Sequence, residues 1–221
     1  MIKRRNLFRA LLLLLGMWMV LLYSLKYGNG KSVEDVLGSC VRIQAKGHYG
    51  SGSILTIDAN EITIVTNRHV LQYWDEDSYV TFFNGAVCNG RMIGVSELAD
   101  VGFLHVFTGE LLPEELDNIK SVEARKAGLK RGDWFVMADL ASDLWNPVFY
   151  HGQILEPLKY LEEFGMDMVY GESAFKEGMS GCGVFDEDGK YIGMLTGGTD
   201  QNEIAAVPAK VVMSLYEDME K

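Results

Sequence analysis

Ile64-Val65-Thr66-Asn67-Arg68-His69-Val70 is an apolar β-run that ends on a histidine. A side chain placed where a strand stops and the chain turns is held rigidly at the rim of a sheet. Rigid placement is what a general base needs, together with a pKa near working pH. A lone histidine also serves structural ends, so the run takes its meaning from its surroundings. On both sides the chain is cut into short strands, at 41–45, 51–57, 61–66, 79–83, 86–95, 101–107, 134–138, 148–155, 168–171, 183–186 and 191–196. Short strands spaced by roughly 8–12 residues, with little helix between them, predict an all-β barrel or sandwich.

Two further segments carry chemistry. In Leu98-Ala99-Asp100-Val101-Gly102-Phe103-Leu104 an acidic residue opens an apolar strand. Such a carboxylate, accepting from an imidazole Nδ1–H, would fix the tautomer and stabilise the imidazolium. A strand-opening aspartate is equally at home as a turn residue. In Glu177-Gly178-Met179-Ser180-Gly181-Cys182-Gly183-Val184-Phe185 a serine stands between glycines. Tight glycine turns let a substrate carbonyl approach the backbone, and the amides of Gly178 and Ser180 are placed to meet a developing oxyanion. The bland alternative is a glycine-rich hairpin with an incidental serine. The string lacks the second glycine of a G-x-S-x-G elbow. Taken together, His69, Asp100 and Ser180 follow one another at intervals of 31 and 80 residues. That order is the chymotrypsin order, not that of subtilisin or the α/β-hydrolases. Cys182 invites a cysteine nucleophile, but it lies two residues past the required position.

Charge and composition close off other classes. The 221 residues are 48% hydrophobic and 23% charged, an ordinary globular balance. A net charge of -11 argues against a nucleic-acid surface. Cys40, Cys88 and Cys182 are too few for a disulfide framework and form no zinc pattern; Cys40 and Cys88 are either a single bridge or small buried thiols. There is no internal repeat. The N-terminus departs most from average: Lys3, Arg4, Arg5 and Arg9 precede an apolar run over 10–25, closed by Lys26. The run is near the lower length limit for crossing a bilayer. The absence of an A-x-A-like site favours an uncleaved anchor over a signal peptide, and in both readings the remainder lies outside the cytoplasm. The expected organisation is a basic cytoplasmic segment over 1–9, a transmembrane anchor over 10–25, a linker over 26–36 and a catalytic domain over 37–221.

The strings G-S-G-S-I-L at 50–55, V-T-N-R-H-V at 65–70, A-D-V-G-F-L at 99–104, G-L-K-R-G-D-W at 128–134, G-M-S-G-C-G-V-F at 178–185 and G-K-Y-I-G-M-L at 189–195 resemble the trypsin-like peptidase domain of the HtrA (Deg) type, within the chymotrypsin-fold superfamily. The resemblance runs from about residue 37 to 214. It implies a mainly β, two-barrel fold with a C-terminal helix. It also implies His69 as general base, Asp100 as its orienting carboxylate, Ser180 as nucleophile, and Gly178 with Ser180 as oxyanion donors. The strand Met194, Leu195, Thr196, Gly197, Gly198 would line the cleft and pair with an extended peptide. By the same alignment Ala174 faces the specificity pocket, where an apolar residue implies a neutral substrate side chain. Arg68, Met179 and Cys182 stand where the family usually has alanine, asparagine and glycine, and no PDZ domain follows. The expected function is a membrane-anchored serine endopeptidase acting on unfolded or extended extracytoplasmic polypeptides, without metal or organic cofactor. The alternative is a catalytically silent peptide-binding or sensor module at the membrane.

Overall fold

Side chains that alternate along single strands build two barrels and the seam between them. The computed structural model describes residues 34–221 apart from Glu97, so the expected anchor over 10–25 lies outside the described residues. Among the described residues no helix is long and apolar enough to cross a membrane.

The first barrel comprises β1 (Cys40–Ala45), β2 (His48–Ile57), β3 (Glu61–Asn67), β4 (Tyr79–Phe82), β5 (Val87–Ser96) and β6 (Val101–Phe107). It closes in the order β1-β2-β3-β6-β5-β4. The second comprises β7 (Trp134–Asp139), β8 (Val148–Leu161), β9 (Met166–Glu172), β10 (Gly183–Asp186), β11 (Tyr191–Gly198) and β12 (Glu203–Pro208). Its order, β7-β8-β9-β12-β11-β10, repeats the first strand for strand. The topology is duplicated although the sequence shows no repeat.

Residue parity decides which core each side chain joins. Ile62 and Ile64 of β3, with Leu104 and Val106 of β6, fill the first barrel. Val65, Val101 and Phe103, of opposite parity, face the seam, where they join Val136, Ala138, Phe185, Tyr191 and Met194. Phe135 and Met137 of β7 point inward to Ile154, Val184 and Ile192 in the second barrel. Each such fully buried side chain contributes about 1.5–3 kcal/mol.

Among the described residues four α-helices complete the fold: α1 (Glu34–Leu37), α2 (Arg68–Leu71), α3 (Pro113–Leu116) and α4 (Ala209–Met219). The final one leaves the second barrel and straps the first. Tyr216 packs its ring, tilted by 41°, 5.8 Å from that of Phe103 and shares its hydroxyl with Thr56 and Thr63, while Met219 covers Gly94. Pro208 is the last residue of β12, and the helix starts at the next residue.

Two strands differ from the sequence expectation. β8 runs on to Leu161, past Pro157, because register shifts against β9 accommodate a residue without an N–H. β12 was not anticipated; its Ala-Ala-Val-Pro run is extended because β11 and β9 pair with it on both sides. All three cysteines are free and buried, so Cys40 and Cys88 form no bridge.

Candidate active site

β3 delivers Asn67 to the seam with extended backbone, and α2 begins at the next residue. The Asn67 side chain does not cap that turn. Its Nδ2 instead donates to the Asp100 carbonyl and to Thr196 Oγ1, each at 3.1 Å, joining β3 to β11. His69 is the second residue of α2. Its backbone N–H donates to Asp100 Oδ1 at 3.0 Å, and its Nδ1 lies 2.7 Å from Asp100 Oδ2. An ionised carboxylate only accepts, so Nδ1 carries the proton and Nε2 keeps its lone pair. Asp100 therefore fixes the imidazole at two points, by ring and by backbone.

Asp100 pays for this position with a left-handed backbone, φ 50°, at the turn before β6. Aspartate tolerates that region better than most residues. The Arg68 amide donates to its carbonyl at 3.1 Å, locking the turn. Arg68 Nε is 4.0 Å from Asp100 Oδ1, a long and partly exposed contact that contributes little. The imidazole is 41% exposed and the carboxylate 21%, so the ring faces the cleft and shields its partner.

Ser180 comes from the other barrel, on the loop between β9 and β10. Gly178 and Gly181 both take φ 89°, which lets the chain reverse twice within four residues. Buried Met179 anchors the loop: its N–H donates to the Lys176 carbonyl and its Sδ accepts from the Lys176 N–H. Across the seam, Ser51 holds the loop from β2. Its N–H donates to the Ser180 carbonyl at 2.9 Å, and its Oγ donates to the Gly178 carbonyl at 2.9 Å. Thr66 Oγ1 in turn donates to the Ser51 carbonyl at 2.6 Å. Among the described residues the amides of Gly178 and Ser180 donate to no backbone carbonyl.

The structure thus brings His69 and Asp100 into direct contact and seats Ser180 on the facing barrel; Ser180 Oγ and His69 share no hydrogen bond. Met194 and Leu195, expected to line the cleft, are buried in the seam and in the second barrel's core. The Leu195 amide and carbonyl are already taken by Cys182 and Gly181. β10 pairs with β11 only as far as Met194, so Thr196 to Gly198 lie beyond that pairing, past a register shift against β12. Ala174, expected to face the pocket, is exposed; the neighbouring Phe175 is the half-buried residue that packs on the strand, its ring against Gly198. Sequence reading missed Ser51, Thr66, Asn67 and Phe175. Ser51 lies inside the quoted Gly50–Ser53 string, but nothing in the spacing tells that its hydroxyl crosses the seam.

Two cavities, of about 340 and 290 Å³, border Arg125 and include none of these residues. The comparisons with known proteins agree with the architecture. A search of curated proteins finds no match. Among solved structures the chain is similar to Rv3671c from M. tuberculosis H37Rv, crystallised as a serine-to-alanine mutant in an inactive form. The TM-score is 0.70 over 87% of this chain and 91% of that one, at 18% identity, a likeness of fold. The trypsin-like peptidase domain family matches residues 50–194, which include His69, Asp100 and Ser180. The chain belongs to the trypsin-like peptidase domain family.

Proposed function

We propose that the chain is a serine endopeptidase, held in a membrane by residues 10–25, that cleaves extended polypeptides outside the cytoplasm. The observation that carries the peptidase reading is the double hold of Asp100 on His69, by ring and by backbone. With Nδ1–H engaged, Nε2 is the ring's basic atom and faces the cleft. It takes the Ser180 hydroxyl proton as Oγ attacks the scissile carbonyl carbon. The tetrahedral oxygen receives hydrogen bonds from the Gly178 and Ser180 amides. Each such donor contributes about 10²–10³-fold in rate. Nε2 then passes its proton to the leaving amine, the C–N bond breaks, and an ester on Ser180 remains. Water then attacks the acyl carbon as His69 Nε2 takes its proton; Nε2 returns that proton to Ser180 Oγ as the ester C–O bond breaks and the carboxylic acid leaves.

A fluorophosphonate probe tests this without a known substrate. Wild-type protein should be labelled on Ser180, and Ser180→Ala should lose both labelling and cleavage while keeping its melting temperature. Labelling that persists in Ser180→Ala would place the nucleophile elsewhere. A second reading, the silent peptide-binding module, draws on the absence of a Ser180–His69 hydrogen bond. It requires that wild-type protein bind peptide without ever being labelled. The membrane reading rests on the basic-then-apolar order of residues 3–25. Fractionation with intact mass, and protease accessibility of residues 30–221 in whole cells, test it. A soluble product lacking about 25 residues would make the segment a signal peptide.

A further inference from the structure

We infer that the residue whose carbonyl Ser180 attacks must have a small side chain, glycine, alanine or serine, because the Phe175 ring occupies the space where a larger one would lodge. This inference rests on the peptidase reading and adds its substrate class. A peptide that pairs with β11 beyond its pairing with β10 runs alongside Thr196, Gly197 and Gly198, with the attacked carbonyl reaching the Gly178 and Ser180 amides. The side chain of that residue then falls between the strand and the loop leading into Ser180.

Both ends of that loop are fixed. At its start the Ser173 amide donates to the Asn202 carbonyl at 2.7 Å and the Ser173 hydroxyl reaches the His151 carbonyl at 3.2 Å. At its end Ser51 holds Gly178 and Ser180. Between them Phe175 turns inward, half-buried and packed against the second barrel's core. A Cβ added to Gly198 would lie 2.3 and 2.4 Å from Phe175 Cε1 and Cζ, so the ring lies flush on the strand at a place only glycine allows. Phe164, from the β8–β9 turn, approaches Gly197 on the opposite face, 3.1 Å from the position of an added Cβ, and packs toward the seam instead. Phe175 is therefore the ring that covers the face of the strand at Gly198. The volume a substrate's Leu, Phe or Lys would need is already filled by this chain's own carbon.

The test profiles a peptide library with full-length protein in detergent, counting competent sites by fluorophosphonate labelling. Wild type should prefer Gly, Ala or Ser at the attacked residue over Leu or Phe by about 10–200-fold in kcat/KM, the range that apolar pocket volume can discriminate. Phe175→Ala should admit Leu and Phe, shifting that ratio by at least about tenfold toward the larger residues. Phe175→Leu, which keeps an apolar side chain against the core, should shift it part of the way, and guards against a destabilised alanine variant. Wild type that is labelled yet cleaves after Leu, Phe or Lys would overturn the inference and leave the peptidase reading standing. So would a small-residue preference unchanged in both variants. A protein that neither takes the probe nor cleaves any peptide would remove the peptidase reading, and this inference with it.

Discussion

In the first barrel His69 and Asp100 are joined by two hydrogen bonds made between α2, directly after β3, and the turn that opens the adjacent strand β6. In the second barrel Ser180 rides a glycine loop held from within, through Met179 and the bonds of Gly181 and Cys182 with Leu195, and also from outside, by two bonds from Ser51, whose carbonyl Thr66 holds. The strand orders are identical, yet one barrel builds its pair without help from the other, while the second adds two bonds from its neighbour. The difference fits what each group would do in the proposed reaction. A base needs one tautomer and one orientation, which a strand end and a carboxylate supply. A nucleophile between two amides needs a strained, close-approach turn, and left-handed glycines hold such a turn only when something clamps them. The seam is therefore part of the site, and substitutions on its two sides should behave differently.

The largest effect is expected inside the self-sufficient half. Asparagine tolerates the left-handed backbone of Asp100, so Asp100→Asn should fold with an unchanged melting temperature. It offers Nδ1 an acceptor or a donor but no charge, and frees the ring to take the wrong tautomer. A fall of about 10⁴ in kcat is expected. A kcat within tenfold of wild type would mean that His69 is oriented by something other than this carboxylate.

Next comes the clamp. A Cβ at Gly181 would sit 2.2 Å from the Ser51 carbonyl oxygen and 2.4 Å from Thr66 Oγ1, at φ 89°. Gly181→Ala should cost about 3 kcal/mol or more in urea unfolding, combining backbone strain with a forced shift of the seam. Gly132 and Gly165 also have positive φ, but a Cβ there meets nothing within 4 Å. Alanine at either should cost only the strain, about 1–2 kcal/mol, and leave kcat alone. Equal losses at all three positions would deny the seam its special role. A milder cut is Ser51→Ala, which removes the hydroxyl bond to the Gly178 carbonyl but keeps the amide bond to Ser180. About 1 kcal/mol of stability and about tenfold in kcat should go.

The same asymmetry explains what could be read in the sequence. His69 and Asp100 were legible because each is tied to the end of an apolar strand, and strands announce themselves by local pattern. Ser180 was legible from its flanking glycines. The bonds around the seam were not: those of Ser51 to Gly178, Thr66 to Ser51 and Asn67 to Thr196 span 127, 15 and 129 residues of separation, and no local pattern records such partners. Phe175 belongs with them, since its meaning depends on Gly198 lying under its ring. β12 was missed for a related reason. Alanines and a proline predict little strand, and the pairing that imposes one comes from β9 and β11. Met194 and Leu195 were assigned to the cleft by alignment alone, but strand parity and the bonds of Leu195 direct them to the interior.

The smallest effect at neutral pH concerns the thiols. Cys182 lies two residues from Ser180 and is 2% exposed; burial raises its pKa well above the usual thiol value, helped by Cys40 and Asp139 nearby. Burial likewise pushes Cys40 up to about 12, against a small lowering from Ser39, and Cys88 up to about 11. All three are therefore protonated and shielded at pH 7.5, and iodoacetamide should neither label the native protein nor change its peptidase rate. Raising the pH reverses this. Above the ordinary thiol pKa of about 8.5 the unfolded chain loses protons that the folded chain keeps, so stability falls as pH rises from there through the folded values. For Cys40 and Cys182 the slope is about 1.4 kcal/mol per pH unit each while only the unfolded form is ionised. Urea midpoints measured from pH 8 to 10 should decline, and a Cys40→Ser, Cys182→Ser double variant should flatten the decline whatever its starting stability. A native Cys182 that alkylates at pH 7.5 with loss of activity would place an open, reactive thiol beside Ser180 and break the division of roles between the two barrels.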